Sequence, residues 1–229
     1  VAVSNAKLGN VDSKHIEEIL GDLERYLKSS EPSEKSIKDS SEVAFNKTIP
    51  EYFHSETLRE IQIARDFFGK NANIEDDSWA LVLACMLHIL HGNRPYALSR
   101  RSHPITPYAP TGDFEYKRLI DHLRKKVSKS VLTEKSSNFV RGHCFKGDIF
   151  DEWPAEVSDL DLILTSPPFF DSTKFYMTNW MRFWFCGWGK EDFSQKTQNY
   201  VETIQRVSFS PYTDIFKQCS ERLSKGKFA

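Results

Sequence analysis

Hydrophobic positions fall into two regimes along the chain. In the first, Ile16, Ile19, Leu20, Leu23, Tyr26 and Leu27 repeat at helical spacing, with Asp12 or Ser13 as the N-cap. The preceding VAVSNAKLGN predicts the last turns of a helix ending at Gly9. A further helix is predicted over Ser55–Phe68, with Leu58, Ile61, Ala64, Phe67 and Phe68 on one side. Another runs from Ser78 to His91 and stops at Gly92. It is apolar nearly all round, which places it inside the protein. Leu119, Ile120, Leu123 and Val127 mark a helix over about 114–129. Between these elements, SSEPSEKSIKDSSE (Ser29–Glu42) is polar, Ser-rich and aperiodic, and is expected to be an exposed or disordered loop.

The period then changes. HCFKGD (His143–Asp148) is a short strand candidate ending in Gly-Asp. DLILT (Asp161–Thr165) is a second, and its apolar continuity suits a strand buried on both faces. Pro211–Leu223 carries a helical stripe, and the closing SKGKFA turns toward another strand. Strands separated by helices argue for an α/β fold with a parallel sheet.

Composition narrows the classes. At 39% hydrophobic and 28% charged the chain is globular, and no apolar run is long enough to span a bilayer. Lys+Arg 31 against Asp+Glu 32 leaves a net charge of -1, so any basic face is local. Such a face is offered by HGNRPYALSRRSHPITPYAPTG, where Arg94, Arg100 and Arg101 sit among aromatic residues in the manner of a phosphate-contacting loop. A surface loop explains them equally well. Cys85, Cys144, Cys186 and Cys219 are scattered without a Cys-x-x-Cys pair, as expected for free thiols in the cytoplasm. His88 and His91 have metal-like spacing but no accompanying carboxylate, so no metal site is expected.

The most informative stretch is the exit from DLILT. Thr165 and Ser166 are followed by Pro167, Pro168 and Phe169. In open α/β sheets ligands bind beyond the carboxyl ends of strands. The prolines fix φ and remove two donors, leaving carbonyl oxygens without competing N–H groups. A hydroxyl and a fixed carbonyl can accept from an exocyclic amino group, while the aromatic ring offers a face for a base. Pro-Pro is not a nucleophile elbow, so hydrolase chemistry does not fit.

LILTSPPF (Leu162–Phe169) resembles the catalytic motif of S-adenosylmethionine-dependent amino methyltransferases acting on DNA, which is (Asp/Asn/Ser)-Pro-Pro-(Tyr/Phe). The Ser form is associated with cytosine N4 and the Asp or Asn forms mainly with adenine N6. KGDIFDEWP resembles the family segment whose acidic residue approaches the cofactor adenine, which implies Asp148 as a cofactor contact, with Thr165 beside the motif. ERLSKGKFA resembles a late family turn into a strand, and the Arg94–Arg101 segment resembles an insert of bacterial methylases of this group.

The resemblance implies a Rossmann-like parallel sheet, incomplete in this chain. Residues 1–11 would end a cofactor-domain helix, 12–140 would form a mainly helical insert and 141–229 the catalytic part. Its Gly-rich cofactor loop is not in the sequence, so a partner chain or further segment is expected to supply it. S-adenosylmethionine, DNA and a cognate restriction endonuclease are the implied cofactor and partners. Ser166, Pro167, Pro168 and Phe169 are the implied catalytic residues. An adenine-N6 or RNA methyltransferase and a non-catalytic DNA-binding half of a split enzyme remain alternatives.

Overall fold

A computed structural model describes residues 1–92, 95–101, 108–132, 137–170 and 174–228, with only the backbone described for 225–228. It is a mixed α/β structure, mostly helical. The helices in chain order are α1 (Ala2–Leu8), α2 (Ser13–Ser29), α3 (Glu34–Glu42), α4 (Ser55–Asn71), α5 (Asp77–Ile89), α6 (Leu119–Val131), α7 (Phe175–Thr178), α8 (Trp180–Phe185), α9 (Lys190–Gln195), α10 (Val201–Ile204) and α11 (Ser210–Arg222). Strands β1 (Leu160–Leu162) and β2 (Leu223–Phe228) pair in parallel. The chain divides into two compact units. The first comprises Val1–Cys144 and Tyr176–Phe193, the second Phe145–Phe175 and Ser194–Ala229.

The first unit is a helical assembly around α5, whose Ala80, Leu81, Val82, Leu83, Cys85, Met86, Leu87 and Ile89 are buried. That is the burial expected of a helix apolar on every side. Helix α2 begins at Asp12, whose carboxylate accepts from the Lys14 amide at 2.8 Å, and it buries Ile16, Ile19, Leu20, Leu23 and Leu27. The close approach of α1 to α5 explains Gly9: a Cβ there would collide with the Asp77 carboxylate, which accepts from the Asn10 amide. Trp180, Trp184 and Phe185 are also buried in this unit, so this part of the aromatic run is core.

Three expectations change here. Ser33–Glu42 is not a disordered loop. Ser33 caps α3, and Asp66 accepts from the Ser33 amide, the Ser33 hydroxyl and the Ser36 hydroxyl at 2.7–2.8 Å. Gln62 Nε2 donates to Ser40 Oγ at 2.9 Å. The α3–α4 interface is built from polar side chains, so no apolar stripe marks it in the sequence. Helix α5 ends before Gly92, because the Leu98 amide turns back onto the Ile89 carbonyl at 2.8 Å. Helix α6 starts only at Leu119, whose amide donates to Glu60 at 2.6 Å, while Lys117 is held by Thr57.

In the second unit β1 is shorter and more open than the sequence implies. Only Leu160–Leu162 pairs, and Leu162 and Leu164 are 63% and 91% exposed rather than buried on both faces. Among the described residues the sheet has two strands, and such a sheet cannot cover its own faces. His143–Asp148 forms no strand. Helix α11 leads directly into β2, and Arg222 at its end donates to the carbonyls of Trp153, Pro154 and Val157, fixing the chain ahead of β1.

Candidate functional site

Beyond the carboxyl end of β1 the chain is solvent-facing. Thr165, Ser166 and Pro167 are exposed, Pro168 is half-buried, and Phe169 is 79% exposed. This segment is held by its backbone. Gln205 is buried, and its Nε2 lies 3.4 Å from the Phe169 carbonyl. The Tyr212 hydroxyl donates to Gln205 Oε1 at 2.6 Å. An amide has one acceptor and one donor end; with Tyr212 on the oxygen, the nitrogen is directed at Phe169. Three residues before Gln205, Glu202 is also buried and accepts from the Phe175 amide at 2.7 Å through Oε2. Its Oε1 has no hydrogen-bond partner among the described residues. Burial, with the nearby Glu202 carboxylate adding to it, raises the Tyr200 phenol above its ordinary range.

Aromatic rings extend from the motif. Phe170 meets Phe209 at 6.0 Å between centroids, Phe209 meets Tyr212 at 6.2 Å and Tyr212 meets Phe216 at 6.2 Å. Phe170, Phe209 and Phe216 are each more than half exposed. The surface beside Ser166–Phe169 is therefore apolar and open.

Asp148 lies in a turn of the same unit, exposed, with Oδ1 accepting from the Phe150 amide at 3.1 Å. The turn is tied to α11: Gln218 Nε2 donates to the Ile149 carbonyl and Gln218 Oε1 accepts from the Trp153 amide. Tyr212 and Gln218 are about 9 Å apart along α11 at the helical rise. One helix thus anchors both the Asp148 turn and, through Gln205, the Pro-Pro segment. Gln205, Glu202 and Gln218 carry no sequence signal of their own. They act by hydrogen-bonding distant backbone, which neither periodicity nor motif reveals.

The basic loop belongs to the first unit. Arg94 lies outside the described residues. Arg100 directs Nε and Nη2 at the Gly112 carbonyl and Nη1 at the Glu51 carbonyl, with its guanidinium 4.0 Å from the Phe114 ring centre. Those nitrogens clamp the loop. Arg101 is exposed and is paired through its backbone with Thr111, which leaves its side chain on the surface. Burial lowers the Lys117 ammonium from its ordinary range, as its Nζ donates to the Ala97 and Ser99 carbonyls. His88 and His91 bond to the Tyr96 and Ser99 hydroxyls. Asn179 and Arg182 also sit in this unit, Arg182 donating to the Leu87 carbonyl.

No helix among the described residues is long and apolar enough to cross a membrane. Comparison with protein families, with curated proteins and with solved structures gives no match.

Proposed function

We propose that this chain carries the base-capturing part of an S-adenosylmethionine-dependent DNA amino methyltransferase acting at cytosine N4. The observation that carries this reading is the Ser166-Pro167-Pro168-Phe169 segment, which follows a parallel strand ending at Leu162 and is backbone-anchored yet has Phe169 79% exposed. A ring held at that position and left in solvent is suited to stacking on a base flipped out of a duplex.

In this reading Phe169 stacks on the cytosine. The Ser166 hydroxyl and the Pro167 carbonyl accept hydrogen bonds from the N4 amino group. Those bonds draw the nitrogen lone pair out of the ring and fix its direction. The methylated N4 is cationic and gives up its proton through the Ser166 hydroxyl, which both accepts and donates and can pass it to water, while the Pro167 carbonyl only accepts. Bound S-adenosylmethionine supplies an electrophilic methyl group. Of the groups needed to hold it, this chain offers Asp148, whose exposed carboxylate suits the adenine end. The Gly-rich loop for the methionine end is not among these residues and is assigned to a partner chain or a further segment. Catalysis rests on positioning and on hydrogen bonds that strengthen as the nitrogen attacks. Arg101 is assigned to phosphate contact, and the protein to the cytoplasm, where a cognate endonuclease would share its DNA site.

The test is methyl transfer from labelled S-adenosylmethionine to duplex DNA, and to an RNA of the same sequence, by the protein in its native full-length form. Transfer to DNA supports the reading. Transfer to RNA alone keeps the chemistry and overturns the substrate.

A further inference from the structure

Two buried polar side chains reach backbone atoms of Phe169 and Phe175, at and shortly after the Pro-Pro motif. Glu202 and Gln205 are three residues apart, so they share one side of the α10 turn. They are 8% and 3% exposed. Gln205 approaches the Phe169 carbonyl at 3.4 Å, and Glu202 takes the Phe175 amide at 2.7 Å. The two contacts lie at either end of the segment beginning with the stacking ring. The Tyr212 hydroxyl fixes which way the Gln205 amide faces.

A buried carboxylate is costly, and a buried oxygen without a donor is more so. Among the described residues Glu202 Oε1 has no hydrogen-bond partner. The hydrogen bond that the buried Glu202 does accept comes from the Phe175 amide. That bond ties a buried side chain to the backbone at Phe175, as the Gln205 contact does at Phe169.

We propose that Glu202 and Gln205 are positioning residues for base capture, fixing the backbone at Phe169 and at Phe175 so that Ser166 and Phe169 meet the target base in register. This rests on the amino-methyltransferase reading. Neither residue touches the substrate; both act through main-chain atoms. A misplacement on the order of 1 Å at a reacting group costs roughly a hundredfold in rate, so backbone released at either anchor loses turnover before cofactor affinity is lost.

The experiment compares Glu202→Ala, Glu202→Gln, Gln205→Ala and Tyr212→Phe in the native full-length protein, with kcat and KM measured separately for DNA and S-adenosylmethionine. Circular dichroism confirms the fold of each. Both Ala variants are expected to lose about 10- to 100-fold in kcat, with KM for S-adenosylmethionine within about twofold. Glu202→Gln keeps an acceptor for the Phe175 amide and is expected to recover most of the turnover. Tyr212→Phe, which frees but does not remove the Gln205 amide, is expected to lose less than Gln205→Ala. If Glu202→Ala fails to fold, Gln205→Ala and Glu202→Gln carry the test. Wild-type kcat in Gln205→Ala, or a loss in Glu202→Gln as deep as in Glu202→Ala, overturns the positioning role and leaves the methyltransferase reading standing. A wild-type protein that methylates no base overturns both.

Discussion

Phe169→Ala separates a binding role from a structural one. The ring is 79% exposed, so about one fifth of its surface is buried. Taking ~200 Å² for a phenylalanine side chain, roughly 40 Å² is withdrawn from water, worth about 1 kcal/mol at ~25 cal/mol per Å². That is the upper bound on the stability the variant loses. A base stacked on the ring is worth about 1–3 kcal/mol, or roughly 5- to 150-fold in capture. Urea denaturation should therefore show a midpoint close to wild type, while kcat/KM for DNA falls by that factor and affinity for S-adenosylmethionine stays level. Unchanged methyl transfer by the variant refutes the stacking role. A large loss of stability refutes the geometry, because it makes Phe169 a core residue.

Other predictions concern the helical unit. Arg65 is 6% exposed and donates to Trp184 O, Ser36 Oγ and Asp39 Oδ2. Arg65→Ala should cost about 3–5 kcal/mol in urea denaturation, the range for one partner of a buried ion pair; a loss under ~1 kcal/mol contradicts that network. Burial pushes the Asp39 carboxyl up, but hydrogen bonds from Lys35 and Arg65 outweigh it and hold the group below its ordinary 3.8. A depressed carboxylate stabilises the fold above its unfolded value and loses that contribution as pH falls below it. Melting temperature should drop in the acid range below about pH 4, and Asp39→Asn should flatten that part of the curve. Arg101→Ala should reduce the salt slope of DNA binding by about one, whereas Arg100→Ala should chiefly loosen the loop it clamps to Gly112 and Glu51; equal slopes for Arg101→Ala and wild type remove Arg101 from the interface.

The helices of the first unit were legible because burial writes itself into periodicity. The stripe from Ile16 to Leu27 and the all-round apolarity of Asp77–Ile89 appear in the sequence as they do in the core. Helix α3 was not legible, because Ser33, Ser36 and Ser40 are bound by Asp66, Arg65 and Gln62 rather than by apolar contacts. Its composition is that of a loop. In the second unit DLILT announced a strand, which forms only over Leu160–Leu162 and ends four residues before Ser166. Its apolar continuity overstated the burial, since Leu164 remains open. Within the candidate site the motif and Asp148 were singled out, but the expected His143–Asp148 strand does not form, Asp148 lying in a turn instead, and the anchors on α10 and α11 were not visible. Glu202, Gln205, Gln218 and Arg222 look like ordinary helix-surface residues until the backbone groups they hold, 27 to 69 positions away, are known.

The most direct test of the central claim is the identity of the modified base. DNA incubated with S-adenosylmethionine and the native full-length protein is digested to nucleosides and analysed by mass spectrometry, with Ser166→Ala alongside. The account predicts N4-methylcytosine, and a Ser166→Ala variant that loses more in kcat than in DNA affinity because its hydrogen bond strengthens as the nitrogen attacks. N6-methyladenine would correct the base and keep the amino chemistry. Methylation at a ring carbon, or none at all, contradicts the account.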